Sequence, residues 1–197
     1  MTGWPSENLL SLIRRLDNLE IDWVVGGSYA SSIFGESRTT QDVDVMIRLR
    51  PGQLDALIED FSGIYYVPVD SARRAAAACS SFSIIELGTV PNRKFDLFIS
   101  AERPLDLEDF ERRRLIRLTA DPDSWGYVSA PEVVVLRKLD WYRRGGGVSD
   151  QQWRDVLGVL KVQAGRLDLD FIRRMAKELR VTDLLDRALL QSGSSGG

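Results

Sequence analysis

The chain has 197 residues, of which 44% are apolar and 28% charged, with a formal net charge of −3. That length and composition suit one large folded domain or a domain with a helical appendage, and the negative balance argues against general electrostatic attraction to nucleic acid. The single cysteine, Cys79, excludes an internal disulfide, and the lack of histidine excludes Ser-His-Asp and Cys-His catalytic sets and argues against a zinc cluster. Acid–base chemistry is left to carboxylates, lysine or tyrosine. No run approaches the roughly 18 apolar residues of a membrane span, and the start, Met1-Thr2-Gly3-Trp4-Pro5, is not that of a secretory signal. A cytoplasmic protein with no membrane partner is expected.

In chain order, residues 6–19 read as a helix with Leu9, Ile13 and Leu16 on one face. The apolar run Trp23-Val24-Val25 reads as a strand, broken by Gly26-Gly27. Ser28 is placed to cap a helix on which Tyr29, Ala30, Ile33 and Phe34 recur at helical spacing. A second strand carries Asp42-Val43-Asp44-Val45-Met46-Ile47. Pro51 suits a first helical turn, followed by the stripe Leu54, Leu57, Ile58, Phe61. A short strand is expected over 64–69, a helix over 71–79, and strands over 82–87 and 94–99 with a turn at 88–92. A short helix over 105–112 and a short strand over 115–118 follow.

The chain then changes character, with a boundary near 120–130. Pro131 opens a helix that runs to about Arg144 and is ended by Gly145-Gly146-Gly147. Ser149-x-x-Gln152 is a capping-box pattern before a helix with Trp153, Val156, Leu157 and Leu160 on its buried stripe. Helices over 168–179 and 182–190 complete the pattern, and 191–197 reads as a flexible tail. The expected class is α/β (α+β): a twisted mixed sheet with flanking helices in residues 1–125, then a helical region over 126–190.

Two features carry chemistry. A strand that turns on glycines into a helix start presents free backbone N–H groups and a positive helix end, so Gly26, Gly27 and Ser28 are candidates for holding phosphate. Asp42 and Asp44, two apart on a strand, send both carboxylates from one face. A divalent cation relieves such crowding, and magnesium commonly takes one or two carboxylates together with substrate phosphates. Arg38, just before that strand, could reach a phosphate or organise the aspartates. Lys138 has Val134, Val135, Trp141 and Tyr142 around it on its helix, so its ammonium must snorkel or find an anionic partner.

Gly26-Gly27-Ser28, Arg38-Thr39 and Asp42-x-Asp44 together resemble the signature of the polymerase-beta-type nucleotidyltransferase superfamily, and their spacing resembles its AbiEii/AbiGii toxin-like branch. The resemblance implies a third carboxylate on a later strand, which Asp96 in Phe95-Asp96-Leu97-Phe98-Ile99 supplies. It also implies a helix of the type Pro-Glu-x-x-x-x-x-Lys-Leu, matched by Pro131-Glu132 and Lys138-Leu139. It further implies Asp42, Asp44 and Asp96 as catalytic metal ligands for two magnesium ions, and Gly26, Gly27, Ser28, Arg38 and Lys138 as nucleotide contacts. The implied reaction transfers a nucleoside monophosphate from a nucleoside triphosphate to an acceptor hydroxyl, on a tRNA end, a protein or a small molecule. A cognate antitoxin is an implied partner.

The plainer readings stand beside these. Asp96 could be a strand carboxylate bound to a nearby arginine such as Arg93. The clusters Arg73-Arg74, Arg112-Arg113-Arg114 with Arg117, and Arg137-Lys138 with Arg143-Arg144 are solvated helix faces or an RNA surface. The whole fold could also be a catalytically silent nucleotide-binding or protein-interaction module.

Overall fold

In the computed structural model, which describes residues 6–37, 42–90, 92–119 and 124–193, the expected alternation of strands and helices is present. The elements in order are α1 (Ser6–Asn18), β1 (Asp22–Val25), α2 (Gly27–Phe34), β2 (Asp42–Arg48), α3 (Gln53–Phe61), β3 (Tyr65–Tyr66), α4 (Val69–Ala78), β4 (Ser81–Glu86) and β5 (Lys94–Ile99). Then come α5 (Pro104–Arg112), β6 (Arg114–Thr119), β7 (Ser124–Val128), α6 (Pro131–Arg144), α7 (Asp150–Val162), α8 (Leu169–Glu178) and α9 (Thr182–Ser192). Among the described residues no helix is long and apolar enough to cross a membrane.

The chain divides into two compact units, residues 1–26 with 39–128 and residues 27–38 with 129–197. The first holds the seven-stranded sheet, in the order β3-β4-β5-β2-β1-β7-β6. β2 pairs with β5 and β1 with β7 in parallel, and the remaining neighbours are antiparallel. The alternation read from the sequence sets the two faces. Val43, Val45 and Ile47 of β2, Phe95 and Leu97 of β5, and Phe82 and Ile84 of β4 are buried together with Leu57 and Phe61 of α3. Tyr65 ties that layer, its ring 5.0 Å from Phe61 and edge-on to Phe95 at 6.1 Å. The opposite face of β2 and β5 carries the polar residues, because successive strand side chains point to opposite sides.

β7 is a strand that the pattern did not announce. Ser124-Trp125-Gly126-Tyr127-Val128 is short and interrupted by a glycine, so neither alternation nor β-branched content marks it. It forms a hairpin with β6, Trp125 opposite Arg117 and Tyr127 opposite Leu115.

The second unit is helical and comprises α2 and α6 to α9. Gly35 marks the approach of α2 to α7: a Cβ there would lie 2.9 Å from both Ser31 O and Val159 N, so backbone stands on each side of it. Gln163 Nε2 donates to Phe34 O at 2.8 Å across the same contact. Ser149 caps α7, accepting from Gln152 N at 3.4 Å. The Gln152 side chain that would complete the box instead accepts from Lys138 Nζ at 3.1 Å. Asp168 caps α8 by accepting from Phe171 N at 3.0 Å, and the buried Glu132 accepts from Asp168 N at 3.1 Å.

Candidate active site

The parallel register of β2 and β5 aligns the carboxylates. Asp44 is the partner of Asp96 and Asp42 the partner of Lys94, while Ser83 of β4 faces Asp96 from the other side. Strand partners share a face, so Ser83, Asp96 and Asp44 form a row, with Asp42 and Lys94 in the row before it. The first row continues into the glycine turn, where Gly26 N donates to Asp44 O at 2.9 Å. Gly27 takes a φ of 54°, a left-handed conformation that glycine adopts without steric cost, and opens α2. Ser28 therefore lies in the first helical turn instead of before it. Its carbonyl accepts from Ser31 Oγ at 3.0 Å and Ser32 Oγ at 2.9 Å.

Lys94 is the residue sequence reading passed over. Its Nζ lies 3.1 Å from Asp42 Oδ2 and 3.0 Å from Asp96 Oδ2. The cation beside Asp96 is thus Lys94, two residues away on the same strand face, where an arginine such as Arg93 had been the candidate. The signal was available, since Lys-x-Asp on a strand puts ammonium and carboxylate on one side. The Asp96 hydrogen bond is the largest cause of a raised Lys94 pKa, with the bond to Asp42 adding to it and burial opposing it. Ser83 Oγ donates to Asp96 Oδ1 at 2.5 Å, so each oxygen of that carboxylate has a partner. Serine in an alternating strand carries no mark of such a role, and only the register reveals it.

The donor set suits a hard divalent cation, being carboxylate oxygen on neighbouring strand positions. The Lys94 ammonium, held between Asp42 and Asp96, stands in for the charge such an ion would bring. Among the described residues, however, no three ligating side chains already converge to enclose an ion. Asp42 and Asp96 are turned to Lys94, and Asp96 also to Ser83.

Lys138 is buried, 4% exposed, and does not snorkel. Its Nζ lies 2.7 Å from Asp155 Oδ2, and Ser31 Oγ approaches the same oxygen at 3.3 Å. This network ties α2, α6 and α7 within the helical unit. The other proposed nucleotide contact, Arg38, lies outside the described residues, as does Thr39.

No protein-family model matches the sequence, and no curated protein matches it. Solved structures do match. An antigenic nucleotidyltransferase-like protein from Paracoccidioides brasiliensis has a TM-score of 0.55 at 15% identity, over 96% of this chain and 94% of that one. The nucleotidyltransferase ANT(2″)-Ia, in a complex with adenylyl-2″-tobramycin, has a TM-score of 0.55 at 13% identity, over 89% of this chain and 96% of that one. Its solution structure, described as an antibiotic-resistance factor, gives 0.53 at 14%, over 97% of each chain. Identity this low speaks to fold, and the fold is that of nucleotidyltransferase-like proteins.

Proposed function

We propose that the chain is a metal-dependent nucleotidyltransferase that moves a nucleoside monophosphate from a nucleoside triphosphate to an acceptor hydroxyl. The observation that carries this reading is the row Asp96–Asp44–Gly26, with Asp42 on the same sheet face: three carboxylates ending at a glycine turn. In this reading Asp42, Asp44 and Asp96 hold two magnesium ions, which would supply the charge neutralisation that in-line displacement at phosphorus requires. Asp96 takes the proton from the acceptor hydroxyl, whose oxygen then bonds to the α-phosphorus as pyrophosphate leaves. Gly26, Gly27 and Ser28 hold the triphosphate through backbone N–H groups. Arg38 would add positive charge for the nucleotide, and Lys138, buried against Asp155, would serve it by fixing α2 through Ser31.

The adenylyl-2″-tobramycin bound in the ANT(2″)-Ia complex supports the reaction class by analogy of fold. The acceptor is a tRNA end, a protein hydroxyl or a small molecule. The AbiEii-like motif favours a toxin acting on tRNA and opposed by an antitoxin.

One observation favours a second reading. Lys94 already satisfies two of the carboxylates, which suits a nucleotide-binding or protein-interaction module without turnover. Incubation with magnesium, labelled nucleoside triphosphates and total RNA or protein separates the two. Transfer that disappears in Asp42→Ala and Asp44→Ala is expected; nucleotide-dependent thermal stabilisation without transfer would point to the silent module.

A further inference from the structure

The Lys94 ammonium lies between Asp42 and Asp96, two of the carboxylates proposed to hold metal. We propose that Lys94 is a resident counter-ion of this face and that a divalent cation binds by displacing it. The inference rests on the reading of Asp42, Asp44 and Asp96 as metal ligands, and deepens it by naming what metal binding must exchange.

The geometry requires a cation here in either state. Asp42, Asp44 and Asp96 leave one sheet face from adjacent register positions, and like charges so placed destabilise the strand pair. Lys94 is opposite Asp42 and two residues before Asp96, a placement from which its single side chain reaches both. Its chemistry suits exchange. A lysine is a point charge on a flexible stem, whereas an arginine would lock a carboxylate through a planar fork. The ammonium can withdraw, since the Lys94 side chain is 38% exposed and its partners Asp42 and Asp96 are 48% and 21% exposed. Bridges this open are weak, because solvent screens them. Two of them restrain the face without competing seriously with chelation by several carboxylates. Ser83 keeps its bond to Asp96 Oδ1, so Oδ2 is the oxygen freed when Lys94 leaves.

The test is direct because the chain has only four lysines, Lys94, Lys138, Lys161 and Lys177. Manganese binding without nucleotide is titrated by electron paramagnetic resonance in the parent, Lys94→Met and Lys94→Arg. Removing the competing charge should tighten binding about tenfold in Lys94→Met at low ionic strength, as two partly exposed bridges allow. Lys94→Arg should not tighten. Lys94→Met should also melt below the parent without metal and recover on adding it. Independently of any variant, amine acetylation of the parent read by mass spectrometry should accelerate at Lys94 when magnesium is added, with Lys161 and Lys177 unchanged. Unchanged or weaker manganese binding in Lys94→Met, or unchanged Lys94 acetylation under conditions where manganese binds, would overturn the proposal while leaving the metal reading intact. If neither parent nor Lys94→Met binds manganese, the metal reading itself fails and takes the proposal with it.

Discussion

Replacing Asp155 with alanine should be among the most damaging single changes in the helical unit. The Lys138 and Asp155 side chains are 6% and 8% exposed, and their charged atoms lie 2.7 Å apart. Alanine removes the carboxylate and leaves the ammonium buried beside Gln152 Oε1. Breaking a buried pair from one side costs about 3–5 kcal/mol, because the remaining charge has lost its partner. In a chain of this size that corresponds to a melting-temperature drop of roughly 6–20 °C. Differential scanning calorimetry on Asp155→Ala, Lys138→Met and the double variant Lys138→Met/Asp155→Leu measures it. The double variant should recover most of the loss, since replacing both charges with apolar groups of similar volume removes the desolvation cost together with the attraction. Ser31 Oγ keeps its bond to Ser28 O in every case. A loss below about 1 kcal/mol in Asp155→Ala, typical of an exposed pair, would refute the reasoning. A stable double variant that no longer gains stability from nucleotide would support the proposed role of Lys138.

Other expectations follow from packing and ionisation. Gly35→Ala should destabilise the helical unit by about 1–3 kcal/mol, the usual cost of overpacking, because its Cβ would meet backbone at 2.9 Å on both sides. Gly158→Ala, whose nearest contact is Glu36 N at 3.2 Å, should cost less, with both losses measured by urea titration. Burial raises the Tyr65 pKa above its ordinary 10.0, so the folded form favours the neutral phenol. That contribution is fully present below pH 10 and is lost as pH rises from there through the folded value. Tyr65→Phe should flatten the alkaline limb of a stability-against-pH curve but not abolish it, since burial raises Tyr29 as well.

Much of the sheet was legible because β2 and β5 alternate cleanly. Asp42-Val43-Asp44-Val45 and Phe95-Asp96-Leu97 state in period two which residues are buried and which share the other face. Register was not legible: that Asp44 stands level with Asp96 and Ser83 depends on pairings between segments far apart in the chain. The membership of α2 in the helical unit was hidden for a similar reason. Its helical period marks an apolar stripe but not what the stripe meets, and the backbone approach at Gly35 and the Ser31–Asp155 contact identify α7. The capping box at Ser149 was read correctly in position. Half of it is diverted because Gln152 serves the buried Lys138, a demand that local sequence does not record.

The most direct test of the central claim measures two properties of one protein, Asp96→Asn. The amide keeps the shape of the side chain and can still accept from Ser83, but it removes both the charge that would hold a metal and the base for the acceptor's proton. Nucleotide-dependent thermal stabilisation with magnesium should persist, because in the proposed reading the triphosphate would be held mainly by the glycine turn and the metal on the Asp42–Asp44 pair. Transfer of labelled nucleotide should fall by about a hundredfold or more, the scale of a lost general base. Transfer at the parental rate in Asp96→Asn, in a preparation where Asp42→Ala is inactive, would contradict the account.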